Sequence, residues 1–178
     1  MLAPEMSGFA VTPMVVADAD DWVAYAALPE SNEFVSSTVR STADAVPLIE
    51  RSLSGDPNSP LLFAIRELSS ARLIASVGFH TVSSLNRTAE ITYTVHPQLW
   101  GRGLATRACA AAVQWAFEHK GWARIQATTL ERHHASQRVL AKCGFQLEGK
   151  LRNFRIVRGV PSDYLLFSVI PGTAASAA

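Results

Sequence analysis

The sequence predicts an α/β (α+β) domain with a mixed, mostly antiparallel sheet and helices on both faces. Short runs of alternating apolar and polar residues recur along the chain, which is typical of strands with one buried face. Amphipathic runs at helical spacing separate them. In the middle of the chain, one strand leads through a glycine turn into a long helix and a further strand. A right-handed crossover places those two strands side by side in parallel.

The length of the chain bounds the number of domains. At 178 residues it is long enough for one domain with a proper core. We assign residues 1–170 to that domain. The last segment, residues 171–178, consists of small residues without an apolar pattern, and we expect a disordered tail there.

The first half of the chain favours two helices and three strands. Asp18 is suited to cap the first helix, and Ser41 or Thr42 the second, because short polar side chains bond the free N–H groups of a first turn. The last two of these strands are separated by a short connection, which predicts an antiparallel hairpin. In chain order the elements are a strand over Phe9 to Val16, a helix through Trp22 and Tyr25 that ends at Pro29, a helix from Thr42 that stops at Gly55, and strands over Leu61 to Glu67 and Leu73 to Val82.

The second half alternates strands with two further helices. Glycine ends both helices, as is common where the chain turns with a positive φ. In chain order the elements are a strand over Thr88 to Val95, a helix from Leu104 to near Gly121, a strand over Ile125 to Leu130, a helix through Ala135 and Cys143 that stops at Gly144, and strands over Phe145 to Leu151 and Asp163 to Ile170, with Arg155 to Pro161 as the connection.

Composition excludes several classes of protein. The formal net charge is +1, which argues against a general nucleic-acid or membrane-surface binder. The only cysteines, Cys109 and Cys143, fall in helical segments, as expected of buried residues in a reducing compartment. No Cys/His cluster has the spacing of a metal site, so we expect no metal. Neither a secretory leader nor a run of ~18 apolar residues is visible, and we predict a cytoplasmic protein without membrane segments.

The stretch Trp100-Gly101-Arg102-Gly103-Leu104-Ala105-Thr106 joins the central strand to the long helix. Its two glycines allow a sharp turn, and a helix that begins there presents unpaired N–H groups to an approaching ligand. Such a helix N-terminus suits an anion, most naturally a diphosphate. From this stretch alone, a tight connection without any ligand is an equal alternative. A Rossmann dinucleotide site fits poorly, because no third glycine and no acidic residue follow at the required spacing.

Three stretches together resemble the GCN5-related N-acetyltransferase (GNAT) superfamily, and within it the RimJ/RimL-like branch. They cover about half of the chain in the order and spacing of that family. The stretches are Ala89-Glu90-Ile91-Thr92-Tyr93 through Trp100–Thr106 into Arg107-Ala108, Ser136 to Phe145, and Leu147 to Arg152 with Asp163-Tyr164.

The resemblance implies a GNAT-like acyl-CoA N-acyltransferase fold, in which the fourth and fifth strands separate to admit acetyl-CoA. The backbone N–H groups of Arg102 to Thr106 would hold the CoA diphosphate. Val95 and His96 would pair with the pantetheine arm like an added strand, and the Val95 N–H would polarise the thioester carbonyl. The cofactor-binding residues implied are Val95, His96, Trp100, Gly101, Arg102, Gly103, Leu104, Ala105, Thr106, His133 and Ser136.

The chain departs from the family pattern at three positions. Trp100 replaces the usual Gln or Arg, which is common in the RimJ/RimL-like branch. His133 replaces the usual Asn of that branch, and an imidazole can still bond the pantetheine or the leaving group. Leu140 stands where many members have a Tyr that acts as general acid, so the candidate acid becomes Ser136.

Acyl transfer to an amine requires a base, and Glu90 is the candidate because it lies on the strand that lines the site. An α-amine with a pKa of ~7.7–8 has roughly 10–20% of its molecules in the neutral form at pH 7, so a weak base acting through water suffices. The alternatives are a solvated strand-end carboxylate for Glu90 and, for Ser136, a helix serine bonded to its own backbone. Trp22, Tyr25 and Phe34 lie where the acceptor side of this family forms, although core packing is favoured for them.

We therefore expect an acetyl-CoA-dependent N-acetyltransferase that works by direct attack of a primary amine in a ternary complex. The branch resemblance favours a protein N-terminal amine as acceptor. A small amine, such as a polyamine or an antibiotic, is the alternative, and a non-catalytic acyl-CoA-binding module is the rival from another class. The family resemblance is also compatible with a homodimer.

Overall fold

The computed structural model describes residues 2–35 and 39–172, and within them seven strands form one sheet in the order β1-β2-β3-β4-β5-β7-β6. All neighbouring strands are antiparallel except β4 and β5. This confirms the mixed, mostly antiparallel sheet. The strands are β1 (Phe9–Pro13), β2 (Leu61–Glu67), β3 (Leu73–Ser83), β4 (Thr88–Val95), β5 (Arg124–Leu130), β6 (Gln146–Val157) and β7 (Val160–Val169), and the helices are α1 (Ala19–Ala26), α2 (Thr42–Ser52), α3 (Leu104–Lys120) and α4 (His134–Lys142).

The helices cover both faces of the sheet, as predicted. Side chains alternate along β2, so neighbouring residues point to opposite faces. Phe63 packs edge-on against Trp115 of α3 with ring centroids 5.1 Å apart. Ala64, the next residue, belongs to a separate apolar cluster with Tyr25 of α1 and Ile49 of α2. The sheet therefore separates an α1/α2 side from an α3/α4 side.

Strands β4 and β5 lie in parallel but pair over a short length only. Their register joins Thr88 to Arg124, Ala89 to Ile125 and Glu90 to Gln126, and it extends no further. Beyond Glu90 the two strands separate, so the sheet has a gap beside the last five residues of β4. The parallel pairing and the separation of the fourth and fifth strands are confirmed.

The predicted connection over Arg155 to Pro161 is wrong. Strands β6 and β7 continue through it and meet at Arg158-Gly159, where φ is 51° and 81°. Positive φ at both residues matches the twist of a two-residue hairpin turn. Pro161 is tolerated in β7 because it pairs only with β6, beyond the end of β5. Arg155 consequently lies on a strand rather than in a loop.

Asp18 occupies the N-cap position of α1 as predicted, but its side chain makes no capping hydrogen bond to that helix. Its carboxylate accepts a hydrogen bond from the Val15 N–H at 3.0 Å and forms an ion pair with Arg66, so it joins the helix entry to β2. Ser41 does cap α2, since its Oγ accepts from the Asp44 N–H at 3.3 Å. That helix ends at Ser52, slightly before the predicted end at Gly55.

The remaining predictions concern the cysteines, the membrane and the tail. Cys109 and Cys143 are both buried and free. Across residues 2–35 and 39–172, no helix has the length and apolar character needed to cross a membrane. The same residues contain no group of three or more His, Cys, Asp or Glu side chains arranged to hold a metal ion. The predicted tail lies, from residue 173 onward, outside the described residues.

Candidate active site

The turn between β4 and α3 exposes the first N–H groups of the helix. Gly101 and Gly103 have φ of 75° and 76°, a conformation that favours glycine. The first helical hydrogen bond runs from the Arg107 N–H to the Gly103 carbonyl at 3.0 Å. The N–H groups of Leu104, Ala105 and Thr106 thus precede the helical ladder and carry the positive end of the helix dipole. A Cβ built on either glycine meets nothing within 4 Å, so the space in front of the turn is open.

Val95, the last residue of β4, is held at the edge of the gap. The half-exposed Trp100 donates from Nε1 to the Val95 carbonyl at 2.8 Å, which ties the turn to the strand end. The His96 N–H bonds the Ile74 carbonyl of β3 at 2.9 Å, and the His96 carbonyl accepts from Leu99 at 2.9 Å. Because N–H groups alternate in direction along a strand, the Val95 N–H points away from β3 into the gap.

A cavity of about 640 Å³ passes through the sheet where β4 and β5 separate. Glu90 and Tyr93 both line it, although their positions on β4 place their side chains on opposite faces. The cavity therefore opens on both the α1/α2 side and the α3/α4 side. The other charged or titratable residues that line it, within the described ranges, are Arg51, His80, His133, Arg155 and Tyr164.

Glu90 is a buried carboxylate with three donors. Its side chain is 5% exposed and pairs with Arg155 Nη2 at 3.1 Å. Thr128 Oγ1 and Gln126 Nε2 donate to it at 2.5 and 3.2 Å. The solvated strand-end carboxylate considered as an alternative is thus ruled out. These contacts explain how a negative charge is kept inside the cavity, since a buried charge is stable only when it is paired and hydrogen-bonded.

His80 of β3 lies directly opposite Glu90 in the β3–β4 register. Its Nε2 is 3.9 Å from Glu90 Oε1, and its Nδ1 is 2.8 Å from Thr81 Oγ1. Burial lowers the pKa of His80 below 6.5, against an opposing effect of the Glu90 charge. The imidazole is therefore neutral at pH 7. Sequence reasoning missed His80, although pairing the predicted third and fourth strands would have set it beside Glu90.

Ser136 lies in the first turn of α4, on the other side of the gap. Its Oγ is 2.8 Å from the Tyr93 hydroxyl. Burial raises the pKa of Tyr93, so that hydroxyl stays protonated, and either hydroxyl can donate in this contact. When Tyr93 donates, the Ser136 hydroxyl hydrogen is available for a further acceptor. Sequence reasoning missed Tyr93 as a site residue. Leu140 stands where many family members have a tyrosine, and the Tyr93 side chain lines the same cavity as Leu140.

His133, at the start of α4, stacks on Phe34 with ring centroids 4.4 Å apart. Burial and the nearby His134 lower the pKa of His133 to about 4, so this imidazole is neutral as well. Both rings line the cavity, as does Trp22. Tyr25 is fully buried in the α1/α2 cluster instead. Of the aromatic residues considered for the acceptor side, Trp22 and Phe34 thus reach the cavity and Tyr25 is core.

The site combines three features: open N–H groups at a helix N-terminus, a gap in the sheet, and a cavity through the sheet that holds buried polar groups. Together they suit an enzyme that brings an activated acyl group to a nucleophile. Residues 9–146 match the family described as the acetyltransferase (GNAT) domain, and the chain belongs to this family. It is 34% identical over 108 residues to YoaA, an uncharacterized N-acetyltransferase of Bacillus subtilis. That match spans 61% of each chain, less than two thirds of YoaA.

Solved structures share the fold. The ribosomal-protein-S5-alanine acetyltransferase of Vibrio fischeri has a TM-score of 0.84 at 19% identity, covering 97% of this chain and 98% of that one. RimJ of Mycobacterium smegmatis, solved with CoA-disulfide, has a TM-score of 0.82 at 21% identity, and the match covers 96% of this chain and 86% of RimJ. Spermidine N-acetyltransferase of Vibrio cholerae, solved with CoA and spermine, has a TM-score of 0.83 at 15% identity, and the match covers 94% of this chain and 98% of that enzyme. These neighbours include enzymes for protein and for polyamine acceptors, so the fold does not define the acceptor.

Proposed function

We propose that this N-acetyltransferase transfers the acetyl group of acetyl-CoA to an α-amine, such as the N-terminus of a protein, by direct attack in a ternary complex. The observation that carries the proposal is the cavity through the sheet, which lies where β4 and β5 separate and is lined by the buried Glu90 and by Ser136. Acetyl-CoA supplies the thioester. If acetyl-CoA enters from one side of the sheet and the amine from the other, the two meet inside this cavity.

The residues at the gap fit acetyl-CoA. The free N–H groups of Leu104 to Thr106 suit its diphosphate, with Gly101 and Gly103 giving unobstructed backbone in front of them. The Val95 N–H is directed into the gap and is our candidate for the pantetheine or the thioester carbonyl. His96 contributes less than the family pattern implies, because its N–H and carbonyl are bonded within the protein.

The charges in the cavity favour an acceptor with a single amine over a polyamine. Glu90 is the one carboxylate among the described residues that line the cavity, and it is already paired with Arg155. Arg51 adds a second guanidinium to the lining. A polyamine brings several positive charges, and unpaired like charges repel inside a partly buried site. An α-amine has a pKa of about 7.7–8.0, so at least about half of its molecules are neutral at pH 8.

The two ends of the cavity divide the proton transfers. Ser136 is our candidate donor to the departing thiolate, with Tyr93 donating to its oxygen, and the N-terminal end of α4 also favours negative charge there. The amine loses its proton at the end where Glu90 lies. The role of Glu90 as a base acting through water stays a prediction.

Release of the CoA thiol tests the function. The protein with acetyl-CoA is offered peptides that begin with Ala, Ser or Met, the same peptides with acetylated N-termini, and spermidine. We expect thiol release with free α-amines, none with blocked peptides, and at least 10-fold lower kcat/KM with spermidine. Faster turnover of spermidine would contradict the proposed acceptor, and stoichiometric CoA binding without release on any amine would favour a non-catalytic module.

Removing the Ser136 hydroxyl should slow the transfer. We expect Ser136→Ala to lower kcat about 10-fold, the loss of roughly one hydrogen bond to a charged group. Tyr93→Phe acts only through Ser136 and should lower kcat by about threefold. The measurement is kcat at saturating acetyl-CoA. Ser52→Ala is the control, because that buried serine bonds the Ile49 carbonyl at 2.7 Å and does not line the cavity. Unchanged kcat in Ser136→Ala would remove Ser136 from the mechanism.

Cytoplasmic location and a homodimer are further proposals that follow from the family resemblance and the sequence. Light scattering across a concentration series measures the oligomeric state, and a constant monomer mass would contradict the dimer.

A further inference from the structure

We infer that His80 accepts the proton from the acceptor amine, and that Glu90 is the fixed negative charge that stabilises the imidazolium so formed. This inference rests on the proposed function and deepens it by assigning the base. His80 and Glu90 both line the cavity, at the end where the acceptor would bind. His80 Nε2 is 3.9 Å from Glu90 Oε1.

Glu90 is poorly placed to take the proton itself. Its two oxygens already accept from Thr128, Gln126 and Arg155. A proton arriving from the amine would have to compete with these donors for the carboxylate oxygens. The same contacts hold the charge in place, which is what a counter-charge requires.

The local backbone directs His80 into this position. The β3–β4 ladder shifts register between His80 and Ser83, and Thr81 has a φ of 49°, which is rare for a β-branched residue. Bulges re-aim side chains and strained backbone concentrates at functional sites. The bulge brings Thr81 Oγ1 to 2.8 Å from Nδ1. In the tautomer whose Nδ1–H donates to Thr81, the lone pair of Nε2 is free to accept a proton.

The transfer balances as follows. The neutral amine attacks the thioester carbonyl, the C–N bond forms and the C–S bond breaks. The proton lost by the amine nitrogen goes to Nε2 of His80, and the thiolate receives a proton at the Ser136 end. The charged groups that face His80 are Glu90 of β4 and Arg155 of β6, and Arg51 of α2 also lines the cavity. The imidazolium then returns its proton to water.

The first test is the pH dependence of kcat/KM with an α-amine peptide, which reports the free enzyme and the free amine. In the wild type, log(kcat/KM) should fall with slope one below the amine pKa of about 7.7–8.0 and with slope two below the pKa of His80. We expect His80→Gln to lower the plateau about 100-fold and to keep slope one throughout. His119→Gln is the matched control, since His119 stacks on Trp115 away from the cavity and should keep both slopes.

Glu90→Gln separates the two candidate bases. Without the Glu90 charge the imidazolium is less stable, so the break to slope two should move to lower pH while remaining present. If Glu90→Gln instead shows slope one throughout and His80→Gln keeps slope two, Glu90 is the base and the inference is overturned.

The second test needs no turnover. The ring protons of His80, identified by their absence in His80→Gln, are titrated by NMR. We expect a midpoint below 6.5 in the wild type and a lower one in Glu90→Gln. A midpoint unaffected by Glu90→Gln would overturn the pairing. A wild type that passes this titration but releases no thiol with any amine would leave the pair intact and refute the proposed function.

Discussion

The Gly103→Val variant is expected to bind coenzyme A about 1000-fold more weakly than the wild type. Gly103 has a φ of 76°, and an L side chain in this left-handed region costs about 1–2 kcal/mol. If the turn relaxes to avoid this strain, the N–H groups of Leu104 to Thr106 lose their common direction. Each hydrogen bond to a charged group contributes about 1.5–3 kcal/mol. The loss of about two such bonds lowers the binding free energy by about 4 kcal/mol, which corresponds to the 1000-fold weaker affinity. Isothermal titration calorimetry with coenzyme A measures the loss.

Gly121→Val is the matched control for this variant. Gly121 caps the other end of α3 with a φ of 60°, and a Cβ there also meets nothing within 4 Å. The two variants share the same backbone cost, yet only Gly103 lies beside the free N–H groups. We expect Gly121→Val to lower the free energy of unfolding and to leave the affinity for coenzyme A within about twofold. Equal affinity of both variants for coenzyme A would place the diphosphate elsewhere.

The centre of the fold could be predicted because its signals are local. Thr88 to Val95 alternates strictly, Pro97 ends the strand, two glycines mark the turn, and the helical pattern begins at Leu104. Strand, turn and helix therefore have the predicted bounds. The β6–β7 hairpin was not predicted, because the charged Arg155 and Arg158 together with Pro161 favour a connection over a strand. The outer half extends past β5, and most of its side chains are exposed. A turn at Arg158-Gly159 was the available signal.

The site was only partly visible in the sequence for a related reason. Glu90 and Ser136 lie in stretches with a family pattern, whereas their partners come from distant parts of the chain. Arg155 reaches Glu90 across 65 positions and Tyr93 reaches Ser136 across 43. A bulge in β3, invisible as a sequence pattern, aims His80 at the same carboxylate. The sequence thus indicates individual groups, while tertiary pairing determines which of them act together.

Replacing Arg155 by an apolar residue should cost more stability than breaking an exposed ion pair, because its partner Glu90 is buried. Arg155→Met leaves Glu90, 5% exposed, without its cation. Breaking a buried pair from one side costs about 3–5 kcal/mol, and we expect about 3 kcal/mol because Thr128 and Gln126 still donate. Methionine keeps much of the packing against Phe154, whose ring centroid lies 5.0 Å from the guanidinium carbon. Urea unfolding at pH 7.5 measures the change.

Two comparisons assign that loss to the uncompensated charge. Arg72→Met breaks the exposed pair with Glu67, whose side chain is 32% exposed, and should cost less than about 1 kcal/mol. The double variant Glu90→Gln/Arg155→Met removes both charges, so it should recover at least 1 kcal/mol relative to Arg155→Met. A double variant as unstable as the single one would mean that Arg155 acts through its packing. If the double variant recovers stability but not kcat/KM, the charge of Glu90 serves activity in the cavity rather than folding stability.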